Sequence, residues 1–583
     1  MHLQLIDWIL LISYFVIAIV VGSLFTKKAS KSMADYFVSG RSLPWWLAGT
    51  SMVATTFAAD TPLAVAGLVA NHGVAGNWLW WNMVMSGILT VFVFAKLWRR
   101  SGVITDVEFT ELRYSGGAAA FLRGFRALYL GLPINLIVMG WVTLAMAKIL
   151  AITLGMGKWE AIGICLIITL VYSTLGGLWG VVVTDFIQFF IAISGAVILA
   201  IFASHAVGGI AGLKAQLAQH YGNSSQILSF VPKVGSAWMP MLTFFVYLAV
   251  NWWAAWYPGA EPGGGGYIAQ RIFSAKNEKH SVLATLWFNI AHYALRPWPW
   301  IVVGLAAMVL YPNLADKESG YVKVMVDYLP AGLMGLMMAG FAAAYMSTIS
   351  TQLNWGSSYL VNDFYRRFIK KNASERHYVW VSRLTTVLLL IFAAIVTHYM
   401  TSIEKAWKLL LAIGAGTGSV YILRWFWWRI NAWSEIAAMT ASFIVSLVLQ
   451  FYFHLNGNEP LQFAQIMLIT VTISTITWLL TTFLTPPEKE EVLINFYKKV
   501  HPGGALWASI PKKAGITTPK GIISRDLLDW FFGVILIYTS LFSIGKFVMG
   551  QYTSGFIFLI GAAISGYVIF YDLSRRGWEK VAE

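Results

Sequence analysis

Charged residues and cysteine are scarce in this sequence of 583 residues. Only 11% of the residues are charged, which is about half the share expected of a soluble chain of this length. The single cysteine, Cys165, excludes a disulfide framework within the chain. The sequence contains no His/Cys metal motif, no nucleophile motif and no phosphate-binding loop. These absences argue against an enzyme.

Apolar residues are abundant instead. They make up 58% of the chain, and the mean hydropathy is +0.67. They form stretches of about 20 residues, the length of a membrane-spanning α-helix, and the 28 Trp and 25 Tyr suit the two membrane interfaces. We predict an all-α polytopic membrane protein with about fifteen spans, near residues 5–25, 44–71, 76–98, 122–150, 158–177, 181–206, 236–272, 282–311, 325–365, 377–398, 403–427, 433–454, 462–485, 526–548 and 553–573.

The net charge of +15 is distributed as a topology signal. Basic residues collect in alternate loops, for example around Arg99 and Arg100 and around Arg366 and Arg367. By the positive-inside rule these loops are cytoplasmic, which places the N-terminus outside and the C-terminus inside. Residues 1–30 have no basic n-region and no cleavage site, so we expect a retained extra N-terminal helix. Nucleic-acid binding is not expected.

Two predicted spans are interrupted in mid-membrane. The run 52–62 (MVATTFAADTP) carries an acid and a proline, and 257–266 (YPGAEPGGGG) cannot form a continuous helix. Unsatisfied backbone survives at membrane depth only where it lines a cavity enclosed by protein. Because the second break comes five spans after the first, the breaks would open two five-helix repeats of opposite orientation, at 44–206 and 236–430. The alternative is a pair of proline kinks in an ordinary helical bundle.

The remaining parts of the chain complete this division. We predict additional transmembrane helices at 431–485, a cytoplasmic loop at 486–525, and two C-terminal helices with a short basic tail at 526–583. The loop mixes lysines with Phe496, Leu506, Trp507 and Ile510. It therefore suits either an interfacial segment on anionic headgroups or a plain solvated linker.

Hydroxyl side chains follow one face of the span near 325–365. Ser347, Ser350 and Thr351 stand at i, i+3 and i+4, with Thr348 beside them. Hydroxyl and carbonyl oxygens suit a hard cation, but such hydroxyls also bond back to the preceding helical turn. Asp185 lies in another span, where an acid indicates an ion or solute path unless it only caps its helix.

Several motifs resemble those of the solute:sodium symporter family. They are residues 35–46 (DYFVSGRSLPWW), 172–178 (YSTLGGL), 184–188 (TDFIQ), and 270–271 (QR) followed by 275–276 (AK). The resemblance runs from about residue 5 to 485. It implies a leucine-transporter-like 5+5 inverted repeat with extra N- and C-terminal helices, in agreement with the spacing of the breaks.

The resemblance also implies sodium sites. The family's general site corresponds to the carbonyls of Ala54, Phe57 and Ala344 and the hydroxyls of Ser347 and Thr348. A second site, present in some members, corresponds to Asp185, Ser350 and Thr351. We therefore expect Na⁺ as the coupling ion.

The hexose-binding pattern of the sugar-transporting relatives is not matched. Thr61 stands where they have glutamine, and His292 stands where they have lysine. Asn251 is the candidate match for their asparagine, but the Gly263–Gly266 run resembles an insertion that interrupts this alignment.

A polar helical face offers a different solute contact. Asn289, His292 and Arg296 follow at i, i+3 and i+7. Arg296 would bind an acidic or polyhydroxylated solute, or would form an internal pair with Glu261 or Asp60. The predicted solute-binding residues are Asp60, Thr61, Asn251, Glu261, Asn289, His292 and Arg296.

Together these features predict a monomeric sodium-coupled symporter in the cytoplasmic membrane. It would import a sugar, a sugar acid or a carboxylate by alternating access, with sodium, the solute and membrane lipid as its partners. The alternatives are a transporter-like nutrient sensor and a transporter of an amino acid or another organic solute.

Overall fold

The computed structural model describes residues 3–24, 33–173, 177–222, 224–255, 262–516 and 522–576. Within these ranges the chain forms helices and no strands beyond an isolated bridge between Leu43 and Ala275. Glu261 and positions 174–176 of the YSTLGGL motif lie outside the described residues. The prediction of an all-α protein is confirmed.

The main helices are numbered in chain order, and shorter connecting helices are given by their residues. They are α1 (Leu5–Leu24), α2 (Trp45–Thr56), α3 (Asp60–His72), α4 (Val74–Ser101), α5 (Gly116–Leu154), α6 (Lys158–Ser173), α7 (Leu178–Ala206), α8 (Met241–Ala254), α9 (Gly266–Ser274), α10 (Glu278–Leu310), α11 (Leu333–Ile369), α12 (Glu375–Tyr399), α13 (Ile403–Gly414), α14 (Gly418–Phe426), α15 (Ala432–Tyr452), α16 (Pro460–Leu484), α17 (Ile522–Val548) and α18 (Tyr552–Arg576).

Ten of these helices in the described ranges are long and apolar enough to cross a membrane, or twelve if each of two bent pairs forms one span. The bent pairs are α2 with α3 and α13 with α14. The other three predicted spans correspond to shorter helical segments, namely α1, α6 and α8 with α9. The count of fifteen and the two inverted repeats therefore stay predictions.

The first break lies where the sequence predicts it. Helix α2 ends at Thr56, and Phe57 leaves the helical conformation with ψ 61°. Helix α3 starts at Asp60 after a bend of 57°. Pro62 is tolerated because it stands in the first turn of α3, where a backbone N–H has no partner within the helix. The broken pair packs against α7, α10 and α11.

The second predicted break separates α8, which ends at Ala254, from α9, which begins at Gly266. Gly264 has a positive φ of 72°, and a Cβ there would lie 2.9 Å from Thr90 Cγ2 and 3.1 Å from Trp98 Nε1. The Gly263 carbonyl accepts a hydrogen bond of 2.6 Å from Trp98 Nε1. The glycine run thus permits the close approach of this segment to α4.

Two predicted spans are divided differently in the structure. The span at 403–427 is bent by 48° between α13 and α14. Gly416 has a φ of 92° at this bend, a conformation that favours glycine. The span at 325–365 is likewise two helices, because Gly320–Tyr328 ends before α11 begins at Leu333.

The described residues of the 486–525 loop pack partly against the rest of the protein. Its helix Glu490–Val500 buries Phe496, and Trp507 follows with 1% of its surface exposed. Both rings stack on the Arg113 guanidinium, at 5.3 and 5.0 Å. Trp507 Nε1 also donates to the Trp425 carbonyl at 2.7 Å. Phe496 and Trp507 of this loop are therefore used in packing against the protein, whereas Leu506 is exposed.

The C-terminal helix α17 packs against α4 and α10. Trp530 Nε1 donates to the Met85 carbonyl at 2.8 Å, and Tyr538 Oη donates to the Trp81 carbonyl at 2.9 Å. Helix α17 is thus joined by hydrogen bonds to α4, the helix that follows the broken pair α2 and α3.

Candidate functional site

The Thr348 hydroxyl joins α11 to the first break. It donates to the Thr55 carbonyl at 2.7 Å and to the Ala344 carbonyl at 3.1 Å. Thr55 lies in the last turn of α2, where carbonyls lose their helical partners. Carbonyl and hydroxyl oxygens from the two helices therefore converge at the predicted first sodium site.

A small cavity lies beside this junction. Its volume is about 10 Å³, and its wall includes Phe57 of the break and Ala344 of α11. A space of roughly 10–15 Å³ holds one water molecule. Two residues of the predicted first site thus border this space, although most of its wall is apolar and offers few of the polar partners that a water or an ion requires.

Asp185 of α7 is fully buried. Its Oδ1 accepts from the Ser347 hydroxyl at 2.6 Å, and its Oδ2 accepts from the Ser51 hydroxyl at 2.5 Å. One carboxylate thus binds α2, α7 and α11 together. The sequence left open whether Asp185 lines an ion or solute path or only caps its own helix. A cap describes its contacts poorly, because both hydroxyl donors come from other helices.

Arg271 of α9 completes this polar cluster. Its Nη2 lies 2.7 Å from Thr351 Oγ1 and 3.7 Å from Asp185 Oδ2. Its Nε donates to the Ser51 hydroxyl at 3.2 Å. The guanidinium supplies the positive charge that a buried carboxylate requires. It therefore links the segment after the second break to the predicted second sodium site.

The predicted sodium ligands are thus neighbours in the structure. They occupy α2, α7 and α11, and most of their hydroxyls are engaged by other members of the set or by adjoining carbonyls. Ser350 differs, since its hydroxyl donates to the Ser347 carbonyl in its own helix at 3.1 Å. This contact is the back-bonding that the sequence left open.

A larger cavity opens above the break, with a volume of about 90 Å³. Its wall includes Asp60, Thr61, His292 and Arg296, four of the residues predicted to bind solute. Helices α2 to α5, α9 to α11 and α13 all contribute to the wall. A concave, enclosed site at a helix break is where a transporter binds its solute.

Arg296 is attached to the broken helix. Its Nη1 donates to the Val53 carbonyl at 3.3 Å and to the Thr56 hydroxyl at 3.2 Å, and its Nε donates to the His292 carbonyl at 3.2 Å. The guanidinium also packs over the Trp300 ring at 5.3 Å. Arg296 therefore holds the end of α2 against α10.

Two predicted solute-binding residues do not line the cavity. Asn251 Nδ2 donates to Asn82 Oδ1 at 3.0 Å, which joins the second broken segment to α4. Asn289 Nδ2 donates to the Thr285 carbonyl at 2.8 Å, and its Oδ1 faces Gly87. Glu261 lies outside the described residues, so the pair with Arg296 is not tested.

Sequence reasoning missed several residues at these sites. Ser51 and Thr55 were overlooked as partners of α11 and Arg271, although they stand at i and i+4 of α2. The aromatic wall of the cavity was also missed, because aromatic residues are common throughout the chain. Only the packing of helices distant in sequence selects the rings that face the cavity, which are Trp80, Trp141, Tyr267, Tyr293 and Trp407.

Comparison with known proteins agrees with this arrangement. A profile of the "Sodium:solute symporter family" matches residues 36–445, which is most of the chain. The chain belongs to this family. As a sodium:solute symporter it is a multi-pass membrane transporter that couples solute movement to sodium, and its coupling ion is sodium.

Relatives within the family transport sugars and related polyols, by their names. The sodium/glucose cotransporter of Vibrio parahaemolyticus is 27% identical, over 77% of this chain and 86% of its own. Sodium/glucose cotransporter 1 of Oryctolagus cuniculus is 25% identical, over 76% and 71%. The human sodium/myo-inositol cotransporter 2 is 26% identical, over 83% and 78%.

A solved structure shares the fold of this symporter. It is the substrate-bound, outward-open state of a Na⁺-coupled sialic acid symporter, with a TM-score of 0.69 and 22% identity. The alignment covers 83% of this chain and 99% of that one. The similarity shows that the two chains have a common architecture.

Proposed function

We propose that this symporter imports a small organic solute by alternating access, with sodium bound between α2 and α11. The observation that supports this function is the junction of Thr348 with the broken helix, 2.7 Å from the Thr55 carbonyl. Sodium at this junction would hold α2 against α11 and so favour the conformation in which the cavity is complete. Coupling then requires only that sodium and solute prefer the same conformation.

The first sodium site is assigned to Ala54, Phe57, Ala344, Ser347 and Thr348. A second site is assigned to Asp185 with Ser350 and Thr351. The Asp185–Ser347 hydrogen bond supports a shared boundary between them, because Ser347 is assigned to the first site and contacts Asp185 of the second. Arg271 beside Asp185 makes the second site the weaker of the two for a cation, since like charges repel at short range.

The position of the cavity suggests the direction of transport. On the predicted topology, the cavity lies in the outer half of the membrane, between the outer ends of α4, α5 and α13. On the same topology, Asp106 follows the inner end of α4 and accepts from the Gly266 N–H at 3.2 Å and from the Tyr359 hydroxyl, so it links α9 and α11 on that side. We therefore infer an outward-facing state of an importer in the cytoplasmic membrane, with the N-terminus outside.

The sodium assignment is tested by equilibrium binding of ²²Na⁺ to the purified chain. We expect Ser347→Ala and Asp185→Asn each to weaken sodium binding, whereas the variants should still purify as folded protein. Sodium binding that is unchanged in both variants would overturn the site. Solute uptake into proteoliposomes with and without a sodium gradient tests the coupling.

A further inference from the structure

The hydroxyl groups around the large cavity are already bonded to the protein. The Thr56 hydroxyl donates to the Val53 carbonyl at 2.9 Å, and the Thr61 hydroxyl donates to the Thr56 carbonyl at 3.2 Å. Thr348 donates to α2 as described above. These donors hold the break together, so they are not directed at a solute.

The Arg296 guanidinium is similarly engaged. Its Nε and Nη1 donate to the backbone and to Thr56, and its Nη2 faces His292 Nε2 at 3.4 Å. An acidic solute docking on Arg296 would have to replace these contacts. The structure therefore favours the internal role for Arg296 over recognition of a carboxylate.

Two buried acceptors in the cavity wall have no hydrogen-bond partner in the described part of the chain. They are Oδ1 of Asp60, a residue that is 3% exposed, and Oε1 of Gln352, a residue that is 1% exposed. Trp407 approaches the Asp60 carboxylate from α13, and the Arg296 charge in the same wall acts on it electrostatically, but neither side chain satisfies Oδ1. A buried acceptor without a donor is costly. Asp60 Oδ1 therefore calls for a donor from within the cavity, and a donor that is itself charged forms the stronger hydrogen bond to a carboxylate.

The remainder of the wall suits a cation. Trp80 stacks on Tyr293 at 5.7 Å, and Trp141, Tyr267 and Trp407 complete an aromatic lining. The face of an aromatic ring attracts ammonium groups, most strongly when water is excluded. Aromatic faces and a single carboxylate together form a binding site for an amine.

We propose that the transported solute carries a protonated amine, which binds Asp60 Oδ1 between the aromatic side chains of the cavity. This assignment rests on the proposed symport and specifies its substrate class. An ammonium group supplies up to three donors and no acceptor, which matches the unpartnered Asp60 and Gln352 oxygens. A sugar acid lacks this group, and a neutral polyol supplies donors without the charge.

The test compares solutes of matched shape and different charge. The melting temperature of the purified full chain is measured in sodium and in potassium with glucosamine, glucose, glucuronate, 3,3-dimethylbutylamine and its neutral analogue 3,3-dimethylbutanol. We expect glucosamine or 3,3-dimethylbutylamine to stabilise the protein in sodium, with an affinity about tenfold to a hundredfold higher than its uncharged counterpart. Stabilisation by the neutral or acidic member to an equal or greater extent would refute the assignment, as would the absence of stabilisation by either amine.

A pair of variants locates the amine. Asp60→Asn keeps the shape of the side chain and removes its charge, so the preference for the amine should disappear while ²²Na⁺ binding persists. The matched control is Asp529→Asn, because Asp529 is also a buried carboxylate with an unpartnered Oδ1 but lies in α17, outside the cavity. A preference that survives Asp60→Asn would show that Asp60 is not the partner, and the wild-type comparison stands even if the variant fails to fold.

Failure of the symport proposal would give a different experimental result from failure of the amine assignment. If sodium neither binds nor alters the response to any solute, the coupling is wrong, yet an amine preference that is measured in potassium and lost in Asp60→Asn would still identify Asp60 as the binding group. If sodium binds and promotes the binding of glucose or glucuronate alone, the symport proposal stands and the amine assignment fails.

Discussion

Thr348→Val isolates the hydroxyl that joins α11 to the broken helix. Valine keeps the branched shape of threonine and removes the oxygen that lies 2.7 Å from the Thr55 carbonyl and 3.1 Å from the Ala344 carbonyl. If this oxygen binds sodium, its loss removes one ligand of five. Interactions with a charged group contribute about 1.5–3 kcal/mol, which corresponds to a roughly tenfold to 150-fold increase in the sodium dissociation constant.

A different result is expected if the Thr348 hydroxyl only stabilises the fold and does not bind sodium. A neutral hydrogen bond contributes about 0.5–1.5 kcal/mol to stability, and its loss would lower the melting temperature without changing sodium affinity. Thr397→Val provides the comparison. The Thr397 hydroxyl is buried and donates to the Ala393 carbonyl in its own helix at 2.7 Å and to the Gly140 carbonyl of α5 at 3.3 Å. It thus has the same pattern of contacts as Thr348, away from the break.

The assay is equilibrium binding of ²²Na⁺ to purified protein, with thermal unfolding measured on the same samples. Thr348→Val should weaken sodium binding by about tenfold or more. Thr348→Ser, which keeps the hydroxyl, should restore most of the affinity, and Thr397→Val should bind sodium like the wild type. If Thr348→Val and Thr397→Val lose stability alike and both keep the wild-type sodium affinity, Thr348 is not a sodium ligand.

Three further predictions concern the buried charges and the 486–525 loop. Asp185→Asn should weaken sodium binding and leave the Arg271 charge without its carboxylate, and restoration of binding by the double variant with Arg271→Gln would contradict a direct role for Asp185. Glu435→Gln should lower the stability by about 3–5 kcal/mol in denaturant unfolding, because Glu435 is the buried acceptor of two arginines, and an unchanged midpoint would refute this. Trp507→Ala should cost about 3–5 kcal/mol and expose the loop to limited proteolysis, since the indole is buried against Trp425, whereas an unaltered cleavage pattern would mean that the loop is not docked in solution.

The membrane class and the first break could be predicted because both depend on local chemistry. Long apolar helices follow from composition and length, and the acid and proline at 60–62 cannot continue a helix in lipid. The bend of 57° between α2 and α3 occurs at this point. The hydroxyl face of α11 could also be predicted, since helical periodicity alone places Ser347 and Thr351 on one side.

The bend at Gly416 was not predicted, although glycines flank it in the sequence. A glycine permits a positive φ but does not require one, and the neighbouring helices decide whether the conformation is used. The docked loop around Trp507 is similar. Its amphipathic pattern suits a membrane surface or a protein surface, and only the aromatic recess beside Arg113 distinguishes them.

The sequence by itself determined which residues are costly to bury. Asp60, Asp185 and Arg296 each required a partner or a function. Which partner each has was decided by tertiary structure. Arg296 binds the end of α2, and Asp185 binds two hydroxyls from other helices, while Asp60 keeps an unpartnered oxygen in the cavity. The physical reason is that desolvation cost belongs to a side chain alone, whereas its compensation depends on groups that only folding brings within about 3 Å.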